Sequence, residues 1–152
     1  MSVFNLNLEA IEDETLVDPQ DQEQAEIGDI DSLVCFLFQA RFIIHVFHLR
    51  INGPGAFAAH LAFGDLYNSI IDAADTIAEQ YQGLTSQLIQ FPPEINFIIP
   101  GEGEELAYIN EILANIEQFI DAYDDKDKTT SNILQDLSKT VRQQLYKLTF
   151  LK

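Results

Sequence analysis

The chain has 152 residues, which fits one domain, and 47% of them are hydrophobic, enough for a sizeable core. Twenty-five acids oppose eight bases, for a formal net charge of −17; a surface of that sign repels phosphate backbones, so no direct nucleic-acid binding is expected, and cations or a basic protein are the fitting partners. No eighteen consecutive residues are apolar, the start lacks a basic n-region and the lone Cys35 cannot form an internal disulfide, so neither a membrane span nor a secretory signal is expected and the location reads as cytoplasmic.

Residues 1–27 read as an acidic N-terminal arm. They carry Glu9, Glu12, Asp13, Glu14, Asp18, Asp21, Glu23 and Glu26, and no base precedes Arg41. Pro19 breaks any helix there, which leaves a partly disordered leader with a docking strand near Phe4. Residues 28–152 read as an all-α four-helix domain. The first helix is expected from Asp29 or Asp31 to Ile51, capped by Asp31 or Ser32, with Leu33, Leu37, Ala40, Ile44, Phe47 and Ile51 at three- and four-residue steps. Phe36, Phe38, Ile43 and Val46 widen its apolar stripe, so it needs several neighbours. Cys35, in this apolar run, reads as a buried structural thiol.

The Asn52-Gly53-Pro54-Gly55 turn ends that helix, and a second is expected from about Ala56 to Gln82 with Gly83 as its C′ residue. Leu84 to Gly103, with Pro92, Pro93 and Pro100, reads as a long crossover carrying a short helix at Thr85 to Gln90. A third helix is expected over Glu104 to Tyr123 and a fourth over Thr130 to Phe150, capped by Thr130 or Ser131. A short loop, a long connection and a second short loop give the ferritin-like form of the four-helix bundle, in which one crossover joins helices 2 and 3.

Four residues in this frame carry metal chemistry. His48 and His60 flank the glycine-rich turn, and Asp75 and Glu79 lie four apart on one helical face. Imidazole and carboxylate donors suit iron or zinc. His60 and Asp75, fifteen residues apart on one helix, are separated by roughly 22 Å at about 1.5 Å rise per residue, far beyond the ~2 Å of a metal–ligand bond. Four ligands on one ion therefore require two subunits. Asp65 and His45 are secondary candidates, the latter three residues before His48. Taken singly, each histidine reads as a hydrogen-bonded core residue and each acid as part of a solvated face.

The run Phe47-His48 through Gly53-Pro54, Phe57, His60, Tyr67 and Asp75-Thr76-Ile77-Ala78-Glu79 resembles the signature of Dps-type miniferritins, in which H-W-N-V-x-G-P-x-F-F-x-L-H is followed by D-x-I-A-E-R. Asp127-Lys128-Thr129 through Leu134 resembles that family's entry into its last helix. The resemblance implies a hollow dodecamer and a ferroxidase site at a two-fold interface. His48 and His60 of one chain would face Asp75 and Glu79 of another, with Fe(II) oxidised by peroxide or dioxygen and stored as mineral. Gly64 stands where the family has an acid, Leu49 where it has tryptophan and Gln80 where it has arginine. Two other classes compete: a non-catalytic ferritin-like structural or interaction protein, phage-encoded or accessory, and a nucleic-acid mimic that blocks a basic protein through residues 1–27.

Overall fold

The computed structural model describes residues 29–151; the arm with its strand near Phe4 lies outside them. Four helices follow in order: α1 (Ile30–Arg50), α2 (Ala56–Thr85), α3 (Glu105–Tyr123) and α4 (Lys128–Phe150). The described residues contain no strand. Helix α1 packs along α2, α3 along α4 and α2 along α4, while α1 and α3 touch more lightly.

The three- and four-residue stripes meet in one core. Leu33, Leu37, Ile44 and Phe47 from α1 are buried with Phe63, Leu66, Ile70 and Ile77 from α2. Ile109, Ile112 and Ile116 of α3 and Leu134, Leu137 and Val141 of α4 close it from the other side. Each such side chain contributes about 1.5–3 kcal/mol of burial, so the core sets the helix register and with it the position of every outward-facing group.

Helix ends depart from the sequence expectation where side chains find better partners. The cap of α4 is Asp127, not Thr130 or Ser131; its carboxylate accepts from the Thr129 and Thr130 amides and from the Thr130 hydroxyl at 3.0, 3.4 and 2.6 Å. Helix α1 starts after Asp29, because Asp31 instead accepts the distant Gln90 amide at 2.9 Å. Gly83 lies inside α2, which continues to Thr85 and ends on left-handed Ser86 (φ 58°), whose amide donates to the Gln82 carbonyl. The short helix expected at Thr85 to Gln90 does not form: Gln87 donates to the Thr85 hydroxyl and Ile89 to the Gln82 side chain, which takes those amides out of any helical ladder.

Residues 86–104 run beside α1. Gln90 bonds Asp31, Phe91 meets Phe38 edge-on at 5.7 Å, Phe97 packs on Phe42 at 4.4 Å, and Arg50 donates to the Pro100 carbonyl at 3.3 Å. The wide apolar girth of α1 is thus divided among α2, this segment and, through Phe36 on Phe119, α3. Cys35 is only half-buried, because it faces the gap beside Phe91 rather than the core; partial burial raises its thiol pKa. Although its charges interrupt any unbroken apolar run, α1 is long and apolar enough, by length and composition, to cross a membrane; in this fold its inner residues form bundle core.

Candidate metal centre at the turn between α1 and α2

Gly53 and Gly55, both with positive φ (83° and 76°), fold the chain back so that α2 returns beside α1. The two histidines meet there. The His48 and His60 rings stack with centroids 3.7 Å apart. His48 Nδ1 lies 2.9 Å from the His60 carbonyl oxygen, and His60 Nδ1 lies 3.2 Å from the His48 carbonyl oxygen. A carbonyl only accepts, so each Nδ1 carries a proton, and in the neutral ring Nε2 is the nitrogen that holds the lone pair. This reciprocal lock fixes both tautomers and both ring orientations, the role that outer partners play around metal-ligating histidines.

His45 completes a row rather than a ligand set. Its ring packs on Tyr67 at 4.5 Å and stands 5.9 Å from His48, while Tyr67 meets His48 edge-on at 5.3 Å. Burial, then the Arg41 and His48 charges, lower the His45 pKa. Arg41 extends the row, with its guanidinium carbon 5.4 Å from the Tyr67 ring centroid. Gly64 lies against the pair: a Cβ there would stand 3.6 Å from both Cε1 and Nδ1 of His48.

The carboxylates are elsewhere. Asp65 pairs with Lys147 of α4 at 3.2 Å and is not brought to the histidines. Asp75 and Glu79 are exposed further along α2, which is unbroken from Ala56 to Thr85. They therefore lie roughly 22 Å or more from His60 by helical rise. Among the described residues no three His, Cys, Asp or Glu side chains of one chain converge in a metal-binding group. The structure joins His48 to His60, while Asp75 and Glu79 share one exposed face of α2 a turn apart. Sequence reasoning passed over Arg41 as a site residue; its place four before His45, as the first base of the chain, was the available signal.

An apolar hollow of about 240 Å³ at the same end of the bundle is lined by Ile51, Ala59, Phe63, Leu106, Leu148 and Leu151, among others. Glu105 and Lys147 also line it, the latter already paired with Asp65.

A helical protein with a locked histidine pair on its α1–α2 turn is the class that fold and site define. The chain belongs to DUF5856, a family of unknown function whose model matches residues 53–148. The matched span contains His60, Asp75 and Glu79 and starts just after His48. No curated protein matches the chain.

Proposed function

We propose that the protein is a Dps-like, ferritin-like iron-binding protein that takes Fe(II) as substrate between two copies of the chain, oxidises it with dioxygen or peroxide and stores the product. The observation that carries this reading is the reciprocal lock of His48 and His60, which ties up both Nδ1 atoms in stacked rings and leaves both Nε2 atoms with no partner among the described residues. Neutral imidazole nitrogen is a fitting donor for iron. Asp75 and Glu79, exposed and without a hydrogen-bond or ion-pair partner among the described residues, would supply the anionic half from a second copy. The course of residues 86–104 from Asp31 to Arg50 supports the long-crossover topology. A closed homo-oligomer, a dodecamer by the resemblance, would hold the mineral, in the cytoplasm and without nucleic acid or membrane.

Chain mixing tests the shared site. A His48→Ala/His60→Ala chain and an Asp75→Ala/Glu79→Ala chain should each fail to oxidise Fe(II). Co-assembled, they should regain about a quarter of the wild-type sites, since only mixed pairs hold one intact set. Activity in either variant alone, or none in the mixture despite mixed assembly, overturns the reading.

Gly64 favours a second reading, a non-catalytic scaffold acting through its acidic surface on a basic protein, because the position touching His48 offers no donor. Elemental analysis separates the two: a folded oligomer that retains no metal after incubation with Fe(II) supports the scaffold.

A further inference from the structure

The long connection is the uncharged surface of an otherwise acidic molecule. Residues 80–101 hold one charged side chain, Glu94, in a chain with 25 acids and eight bases. Leu84, Leu88, Phe91, Phe97 and Ile98 within them are exposed, Ile98 to 87%. Apolar side chains gathered on one exposed strip mark a contact surface, where single scattered ones would not.

Residues 94–99 are the part of this strip with a backbone edge to offer. They run without turn or bend. Ile95 is half-buried and Phe97 lies on Phe42 at 4.4 Å, whereas Asn96 and Ile98 are exposed, the two-residue alternation of an extended strand. Among the described residues, no backbone group of residues 94–99 has a hydrogen-bond partner. Ile95, Phe97, Ile98 and Ile99 favour a strand. Pro93 and Pro100 close the run at both ends, since neither has an N–H to extend a ladder. A free edge of this kind is a template for another strand.

We infer that residues 94–99 pair antiparallel with the same residues of a second copy, about a two-fold axis at Phe97. This symmetric register sets Phe97 opposite Phe97, Asn96 opposite Ile98 and Glu94 opposite Pro100. It brings the Phe42–Phe97 stacks of both copies, with rings 39% and 42% exposed, to the axis, where aromatic pairs across strands stabilise a ladder. Charge selects a second copy as the occupant. A basic protein would be drawn to the carboxylates on other faces, whereas two chains of formal −17 meet with least repulsion where neither carries charge. The two Glu94 residues stand about 20 Å apart, roughly six residues along the ladder at ~3.4 Å each, outside the Debye length of about 10 Å at 0.1 M salt. Each instead reaches the end where Arg50 donates to the Pro100 carbonyl; that base then answers Glu94 besides Glu102 and Glu105, which line the same hollow. No residue of the proposed metal site takes part, so either idea can fail without the other.

Cysteine trapping in the full chain tests the register, with Cys35→Ser removing the native thiol. Directly opposite residues of an antiparallel pair have Cα atoms about 4.5–5.5 Å apart, inside the ~4.4–6.8 Å that a disulfide spans. Under mild oxidation Phe97→Cys should therefore run as a covalent dimer on a denaturing gel, while Glu94→Cys, about 20 Å from its mate, should stay single. Sedimentation in the presence of a chelator gives a second readout without thiols. Phe97→Glu and Phe97→Lys should each show a lower mass than wild type, and their equimolar mixture should recover the wild-type mass, because a carboxylate then faces an ammonium on the axis. Should the Phe97 variants fail to fold, Ile98→Pro, at an exposed position, should lower the mass by removing a ladder N–H. A monomeric wild type, no covalent dimer from Phe97→Cys, equal trapping of Glu94→Cys, or wild-type mass for Phe97→Glu or for Ile98→Pro overturns the inference.

Discussion

Gly64 carries more consequence than its size suggests. A helix-interior glycine costs roughly 0.5–1 kcal/mol relative to alanine, and a Cβ at this position would meet His48 only at ordinary contact distance, 3.6 Å. Gly64→Ala should therefore raise unfolding free energy by about 0.5–1 kcal/mol, seen as a higher denaturant midpoint with unchanged slope. Gly64→Glu should do more at the site. It places a carboxylate beside the His48 ring, and anaerobic titration should show Fe(II) binding tightened by about tenfold or more, ~1.4 kcal/mol. An unchanged affinity would mean that the ion does not sit at the histidines. The resemblance implies an acid four residues after His60, and glycine in its place was legible in the sequence. The packing of the ring onto that bare position was not, because the lock between His48 and His60 depends on how two helices emerge from one turn.

The start of α4 shows how an element is set by one side chain. Asp127 accepts two backbone amides and the Thr130 hydroxyl. The Thr130 hydrogen bond holds its pKa below the usual carboxylate value, and the backbone amides add to this against an opposing burial effect. Asp124, bonded to Lys128 and Ser131, is lowered as well. A carboxyl depressed on folding stabilises above its unfolded pKa of about 3.9, and that stability is lost as pH falls through the folded value. Asp127→Ala should cost about 1 kcal/mol at neutral pH, as lost N-caps do. Asp127→Asn should keep most of the cap yet flatten the decline of stability below about pH 4, read from thermal melts between pH 2 and 7. Equal acid limbs in wild type and Asp127→Asn would contradict this.

The four helices themselves were legible because a 3.6-residue apolar period recurs four times, and the prolines of the long connection separate the second helix from the third. Their ends were less so. Asp31 had two possible uses, a local cap or the Gln90 amide 59 residues away, and local pattern cannot weigh a contact that exists only in the fold. The site was half legible for the same reason. Helical rise separates the histidines from Asp75 and Glu79, but the row of Arg41, Tyr67 and His45 beside the pair depends on how α1 and α2 lie against each other.

At the scale of the whole molecule, charge opposes assembly. Every chain brings a formal −17 to the contact, and like charges gathered into one particle repel over the Debye length, about 10 Å at 0.1 M salt and 3 Å at 1 M. Residues 1–28 hold eight of the acids and no base, so a chain beginning at Asp29 carries a formal −9. If the arm acts only through its charge, that shorter chain should associate more tightly than the full one at low ionic strength. The gap should close as salt rises toward 1 M, where repulsion is screened. Sedimentation of both chains across a salt series measures it. A shorter chain that associates more weakly at every salt concentration would show instead that residues 1–28 make contacts in the assembly, and the arm would then be part of the interface rather than a brake on it.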